Sequence, residues 1–278
     1  MTNPAIQYGS QIAADTGSGP SPSIWGNCPI LEILTQTAGG VSGKYFYDDF
    51  TNLGTITSPT TQAQLAEGSG LFGFGSSGSS ITKGTDDELI LTSAATDNLG
   101  GSISMEQDPY VISNVSGELW FEARIRTSTV TTLERPFIIG LIAKVTPAIT
   151  DPLIAAGGGL ISTADFVGFQ RVEADTTTYD TTHQAGGATQ VIHDNGVGAL
   201  EADTYVKLGM HFNINGDSKV HFYTNGVEHP TAHTVVDALG TSFPSDIGLR
   251  LIYAYINGAG AAAATSSMDW WRVAQVAA

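Results

Sequence analysis

The chain has 278 residues, of which 41% are apolar, and this is enough to bury a sizeable core. Its 11 basic and 27 acidic residues give a formal net charge of −16, which argues against an electrostatic grip on nucleic acid or on an anionic membrane surface. Only 14% of the residues are charged, while Gly, Ser, Thr and Ala are abundant. That balance is typical of short strands joined by many turns and not of long surface helices.

Residues 1–44 differ from the rest of the chain and predict an N-terminal arm. Residues 15–23 are rich in Gly, Pro and Ser, and no strand or helix period is visible before Ile30. The region still carries large apolar side chains, which disordered leaders usually lack. We therefore predict an extended arm that docks on another surface, with a disordered leader as the alternative. The residues expected to make that contact are Ile24, Trp25, Ile30, Leu31, Ile33 and Leu34.

Cys28 lies within this arm and is the only cysteine of the chain, so no intramolecular disulfide can form. A reactive thiol needs a cationic neighbour to lower its pKa, and no Lys or Arg precedes Lys44, so we expect an inert, packed side chain. The N-terminus has neither the basic region nor the continuous apolar run of a secretory signal. No stretch of the sequence is long and apolar enough to span a bilayer, so we expect no membrane partner.

The globular part begins near residue 45, and a few further segments carry strand patterns. Alternation is strong at 118–126 (ELWFEARIR), and 136–144 is a nearly continuous apolar run that is typical of a strand buried on both faces. The residues of the first segment that are predicted to face inward are Leu119, Phe121, Ala123 and Ile125. One short helix is predicted at 60–67, where good helix formers precede a glycine.

The most regular pattern is a strand pair within 205–227. Apolar residues occupy every second position of the first strand, and the return strand resumes the alternation. Asn215-Gly216 and Asn225-Gly226 tolerate the positive φ of tight turns, so each pair predicts a turn. The apolar residues of the pair are Val206, Leu208, Met210, Phe212, Ile214, Val220 and Phe222.

Together these segments predict an all-β fold, an antiparallel two-sheet jelly-roll sandwich over residues 45–278. Three motifs resemble the concanavalin-type jelly roll: an early strand YFYDDF at 45–50, a K-x-G-x-x-F-N-x-N-G hairpin that leads to FYTNGV, and a closing strand MDWWRV at 268–273. The resemblance implies a concanavalin-like sandwich in which the first and last strands pair. Laminin-G-like binding modules and several polysaccharide-cleaving enzymes share these signals.

Within that fold, an acidic chain rich in Thr, Gly and Ala with an N-terminal arm is similar to the head decoration, or cement, proteins of tailed bacteriophages. The resemblance implies a structural virion protein that is made in the host cytoplasm without a signal peptide and stabilises the outer capsid surface. Its expected partners are the major capsid protein and copies of the chain itself, for which a trimer is one arrangement. The alternative is a carbohydrate-binding adhesin module of a virion fibre, in which exposed Trp and Tyr would stack on sugars.

A third hypothesis is a glycan-cleaving enzyme that uses Glu118 and Glu122. These residues share one face of a strand, as the nucleophile and the acid/base of concanavalin-type β-glucanases do. Those enzymes have an acidic residue midway between the two, where this chain has Trp120. At ~3.3 Å per residue the Cα atoms would lie ~13 Å apart, whereas the carboxyl groups of a retaining pair are ~5–5.5 Å apart. Arg124 and Arg126 continue the face, so a surface of alternating charge is favoured.

No other set of residues predicts a site. His211 and His221 lie on the two strands of the hairpin, but zinc needs a third ligand, and none has a recognisable spacing. The acidic residues at 48–49 and 86–88 lack the spacing of a calcium loop. We therefore expect no metal site, no cofactor, no catalytic residue and no enzymatic activity.

Overall fold

A computed structural model describes residues 17–35, 42–53, 56–57, 63–65, 70–130, 136–143, 164–173, 175, 177–234, 242–258 and 262–277. Within these residues the chain forms two antiparallel sheets and two short helices, α1 (Pro22–Trp25) and α2 (Ile30–Thr35). The predicted all-β two-sheet jelly-roll sandwich is confirmed. No helix in this part of the chain is long and apolar enough to cross a membrane.

The strands of sheet A are β1 (Gly43–Asp48), β2 (Ile56–Thr57), β5 (Ser80–Lys83), β6 (Leu89–Thr92), β8 (Leu119–Thr127), β13 (Val206–Phe212), β14 (Lys219–Thr224), β15 (Val227–Glu228), β16 (His233–Thr234) and β18 (Thr265–Val276). They follow the order β15-β14-β13-β8-β18-β6-β5-β2, with β1 also paired to β18 and β16 to β14. The first long strand therefore lies beside the last, as the resemblance implies.

The strands of sheet B are β3 (Ala63–Gln64), β4 (Leu71–Gly75), β7 (Gly100–Met105), β9 (Phe137–Ile142), β10 (Phe166–Arg171), β11 (Tyr179–Gln184), β12 (Val191–Val197) and β17 (Arg250–Ile256). They follow the order β12-β11-β10-β9-β17-β7-β4-β3. The strand predicted to be buried on both faces is β9. Its Ile139 and Leu141 join the main core, whereas Ile138 and Ile142 join a separate buried cluster with Phe166.

The main core lies between the sheets and is built from the residues that the alternation predicts. Leu119, Phe121, Ala123 and Ile125 of β8 are all at most 1% exposed within it. The other face of β8 therefore points outward from sheet A, because successive side chains of a strand alternate between its faces. That outward row begins at Trp120 and Glu122, and it positions the site described below.

Two local predictions are wrong. Ala63–Gln64, within the predicted helix at 60–67, form a strand that pairs with β4, because tertiary pairing overrides a weak helix propensity. Asn215-Gly216 does not form a tight turn with positive φ. It lies in a longer loop in which Ser218 has a φ of 57° and donates its backbone N–H to the Asn213 carbonyl. The second predicted turn is confirmed: Asn225 and Gly226 have φ values of 50° and 77°, and Thr224 pairs with Val227.

Residues 17–35 of the predicted arm contain the two short helices, and its last residues, Gly43 and Lys44, already belong to β1. Pro22 begins α1, a position where its missing N–H costs nothing. In α2, Ile30 and Ile33 are three residues apart and are both buried, so this helix has one apolar face. Residues 1–16 and 36–41 of the predicted arm lie outside the described residues.

Candidate functional site

Residues 17–35, called the docked arm from here on, pack on the outward face of sheet A. Four large side chains of the arm form a buried cluster with residues of the sheet and are 2–8% exposed. The members from the arm are Ile24, Trp25, Ile30 and Ile33, and those from the sheet are Trp120, Tyr223 and Ala274. Four of the six predicted contact residues therefore contact the chain's own jelly roll. Leu31 is half-buried and Leu34 is 60% exposed.

Glu122 lies at the centre of this contact and is fully buried. Its Oε2 atom accepts hydrogen bonds from the Ser21 backbone N–H at 3.0 Å and from the Trp25 indole N–H at 2.8 Å. Its Oε1 atom has no hydrogen-bond partner among the described residues. These two hydrogen bonds join the backbone and the indole of the arm to β8, so Glu122 fixes the entry of α1 onto the sheet.

Arg272 supports Trp25 from the neighbouring strand. The pairing of β18 with β8 places Arg272 opposite Glu122, and its guanidinium lies 3.8 Å from the centre of the Trp25 ring. A cation over an aromatic face is attracted by the ring's negative charge, by ~0.5–2 kcal/mol depending on desolvation. The indole is therefore held both at its N–H and across its face.

Three further hydrogen bonds hold the arm, two at its backbone carbonyls and one at a side chain. The Lys207 ammonium donates to the Gly19 carbonyl at 3.1 Å, the Trp270 indole donates to the Ser18 carbonyl at 2.9 Å, and the arm's Ser23 hydroxyl donates to the Gly226 carbonyl at 2.7 Å.

Gly209 of β13 gives α1 room to approach the sheet. A Cβ built on Gly209 would lie 2.3 Å from Cδ1 of Ile24. We call Trp120, Glu122, Lys207, Gly209, Tyr223, Trp270 and Arg272 the arm-docking site.

Burial shifts the titration of two groups in this contact. It raises the pKa of Glu122, against the hydrogen bonds from Ser21 and Trp25 and the charge of Lys207, which lower it. It also raises the pKa of the Cys28 thiol to about 12, with Arg272 opposing the shift. Cys28 lies between α1 and α2, so its thiol is unreactive while the arm is docked.

Glu118 has different neighbours from Glu122. It accepts a hydrogen bond from the Asn215 side-chain amide at 3.1 Å, and its other oxygen lies 3.9 Å from His211 Nε2. The His211 ring stacks on Trp120 with 5.2 Å between ring centres. Burial lowers the pKa of His211, and the Glu118 charge opposes this shift. Trp120 therefore lies on the outward face between the two glutamates, and the docked arm covers one of them.

His221 is opposite His211 in the hairpin, but its surroundings differ. Its Nδ1 lies 2.6 Å from a Glu228 oxygen and its Nε2 lies 2.9 Å from an Asp217 oxygen. Burial lowers the pKa of His221, but the hydrogen bonds to Asp217 and Glu228 outweigh it and raise the pKa overall. With a carboxylate at each ring nitrogen, the protonated imidazole can donate to both. Within the described ranges, no three His, Cys, Asp or Glu side chains are grouped to hold a metal ion.

Comparison with solved structures identifies the fold. An endo-1,3-β-glucanase from Streptomyces sioyaensis matches with a TM-score of 0.54 and 12% identity, over 87% of this chain and 98% of its own. The Emp46p carbohydrate recognition domain matches with a TM-score of 0.50 and 11% identity, over 82% and 98%. The fold is the concanavalin-like jelly roll. A protein of unknown function from Shewanella oneidensis MR-1 matches with a TM-score of 0.53 and 14% identity, over 90% and 94%.

No protein-family model matches the sequence, and no curated protein matches it. At these identities the solved structures show the fold alone, and nothing in them bears specifically on a phage capsid. They do correct one expectation. Several are glycoside hydrolases, so the expectation of no enzymatic activity is wrong as an inference from this fold. A jelly roll of this type carries glycan-cleaving enzymes as well as binding domains, and the absence of a familiar acidic triplet does not exclude activity.

Proposed function

We propose that the chain is a structural protein of a virus particle, which decorates the outside of a tailed-phage capsid through its jelly roll and its N-terminal arm. The observation that carries the proposal is the docked arm. On the outward face of sheet A, the Glu122 carboxylate and the Arg272 guanidinium hold Ser21 and Trp25 of the chain's own residues 17–35. These groups fix a peptide segment in place, which is a structural task.

The far end of the docked arm leaves apolar surface uncovered. Leu34 is 60% exposed at the end of α2. It borders an open cleft of about 520 Å³ to which Tyr45, Phe46, Met105 and Tyr110 also contribute. Leu34 and the partly exposed Tyr45, Phe46 and Met105 form contiguous apolar surface, which is the kind that marks a protein contact site. We assign this surface to the capsid shell: Ile24, Trp25, Ile30 and Ile33 hold the arm, and Leu31 and Leu34 contact the major capsid protein.

Charge and composition agree with this role. A net charge of −16 disfavours non-specific association with nucleic acid, which a protein on the outside of a capsid does not contact. Burial of Leu34 at an interface is worth ~1.5–3 kcal/mol per subunit, and a shell offers many such contacts.

Pelleting tests the proposal directly. Capsids of the encoding phage, assembled without the chain, are mixed with purified full-length protein and sedimented, and the bound fraction is measured. Leu34→Asp should weaken attachment by about tenfold or more, because a charge would have to be buried at the contact. Val115→Asp is the matched control, because Val115 is 77% exposed and does not line this cleft. The Val115→Asp protein should bind as wild type does. Wild-type protein that stays in the supernatant, or Leu34→Asp protein that binds at full occupancy, would contradict the proposal.

A carbohydrate-binding role is the second candidate function. A second cleft on sheet A favours it, because aromatic side chains line this cleft beside the docked arm.

A further inference from the structure

The second cleft lies on the outward face of sheet A, where β1 and β18 pair, and it has a volume of about 450 Å³. This is within the range of about 300–1,000 Å³ in which proteins bind small molecules. Its lining residues are Ser18, Gly19 and Pro20 of the arm, Tyr45 and Tyr47 of β1, and Asp269, Trp270 and Arg272 of β18. Tyr45 and Tyr47 alternate with the core-facing Phe46, so both rings point outward.

Tyr47 gives this cleft an exposed aromatic surface. It is 46% exposed and is the only strongly exposed large aromatic side chain in the described part of the chain. Tyr45 is half-buried next to it, and Trp270 is 6% exposed. The exposed Tyr47 ring thus has two less exposed rings beside it. The apolar face of a sugar can stack on such a surface, as in other small-molecule sites lined by aromatic side chains.

Asp269 supplies a fixed hydrogen-bond acceptor at the edge of the same cleft. Its Oδ2 atom lies 2.5 Å from the Arg124 guanidinium, and its side chain remains 27% exposed. The arm side of the cleft is also fixed, because Trp270 and Lys207 bind the carbonyl groups of Ser18 and Gly19. A ligand would therefore meet walls that are already ordered, which reduces the entropy cost of binding.

The two charged side chains that line the cleft, Asp269 and Arg272, already have contacts within the chain. Arg124 pairs with Asp269, and the Arg272 guanidinium lies over the Trp25 ring. The chain as a whole carries a net charge of −16, which repels anionic ligands. An uncharged ligand rich in hydroxyl groups suits this combination, since it loses no ionic hydration on binding.

We propose that this cleft binds a neutral glycan, with one sugar ring stacked on Tyr47 and a sugar hydroxyl donating to Asp269. The proposal rests on the second candidate function and names its site and its sugar class. It is independent of capsid attachment, because Tyr47 and Leu34 line different clefts.

Calorimetric titration of the purified full-length protein tests the proposal. The neutral probes are cellobiose, laminaribiose, maltose, lactose and N,N′-diacetylchitobiose, and the charged comparators are sialyllactose and digalacturonate. At least one neutral disaccharide should bind. Tyr47→Ala should weaken its binding by about tenfold, whereas Tyr47→Phe, which keeps the ring, should stay within about twofold. Val115→Ala, at an exposed site elsewhere, is the matched control and should not change the affinity.

Three results would overturn the proposal: no binding of any neutral probe, binding that Tyr47→Ala leaves unchanged, or binding of the charged comparators alone. Each of these would leave the pelleting experiment with Leu34→Asp unaffected. Pelleting that fails while sugar binding depends on Tyr47 would instead remove the capsid role and leave the glycan site standing.

Discussion

Replacing Trp25 by alanine should release the docked arm from the jelly roll. The substitution removes the hydrogen bond to Glu122, the contact with the Arg272 guanidinium and a large buried ring. A hydrogen bond contributes ~0.5–1.5 kcal/mol and the cation–π contact ~0.5–2 kcal/mol, but such terms do not add. Truncation of a buried Trp costs ~3–5 kcal/mol as a whole. The undocked fraction should then rise by about a hundredfold or more, since ~1.4 kcal/mol is a factor of ten.

The thiol of Cys28 can report this change, so no cysteine has to be introduced. It is the only cysteine of the chain, and burial at the arm contact raises its pKa to about 12. The rate of its reaction with 4,4′-dithiodipyridine should therefore follow the undocked fraction, up to the rate of the unfolded chain. Trp25→Ala should accelerate the reaction by about a hundredfold or more. Trp25→Phe, which keeps a ring over Arg272 but loses the N–H, should accelerate it by about tenfold.

Far-UV circular dichroism should show that the β-sheet content of both variants is unchanged, because the main core lies on the other side of sheet A. Val227→Ala, at a 69% exposed position of β15, should leave the Cys28 rate as it is in wild type. The reasoning fails if Trp25→Ala reacts no faster than this control.

Two predictions concern pH. Burial raises the pKa of Glu122, so protonation of its carboxyl group favours the docked arm. The stability that this adds to docking is fully present below the ordinary glutamate pKa of 4.5, and it is lost as the pH rises through the raised pKa. The control is Glu122→Gln, whose side chain cannot titrate. As the pH rises over that range, Cys28 should react increasingly faster in wild type than in Glu122→Gln. A constant ratio of the two rates would contradict the role given to Glu122. In NMR titrations, His221 should titrate above and His211 below the ordinary value of about 6.5, and Glu228→Gln should lower the pKa of His221. The opposite order of the two histidines would show that their neighbours are misassigned. Protonation of His221 should stabilise the hairpin below pH ~6.5, and this gain is lost as the pH rises through its raised pKa.

The fold could be predicted because strand alternation is a local signal. The inward row of β8 follows from the period of two alone, and the same pattern places Glu122 and Trp120 on the outward face. The turn at Asn225-Gly226 could be predicted from the residue pair alone. The loop at 213–218 could not, because its shape depends on a hydrogen bond between Ser218 and Asn213 and not on the Asn-Gly pair.

The arm-docking site could not be predicted from the sequence. The bond between Trp25 and Glu122 joins residues 97 positions apart, and no spacing rule connects an indole in an arm with a carboxylate in a strand. The sequence did indicate that Ile24, Trp25, Ile30 and Ile33 need a contact surface. It could not show that the nearest such surface is the chain's own sheet. The cleft beside Tyr47 was missed although the pairing of the first and last strands was expected, because one of its walls is residues 18–20 of the arm.

The copy number of the chain on mature particles tests the proposed structural role most directly. Particles of the encoding phage are purified on a density gradient, and the ratio of this chain to the major capsid protein is measured by quantitative mass spectrometry. A decoration protein should show one fixed ratio across the whole particle peak, set by the symmetry of the shell. A trace amount, a ratio that varies across the peak, or recovery of the chain only in the soluble fractions would contradict a structural role on the capsid.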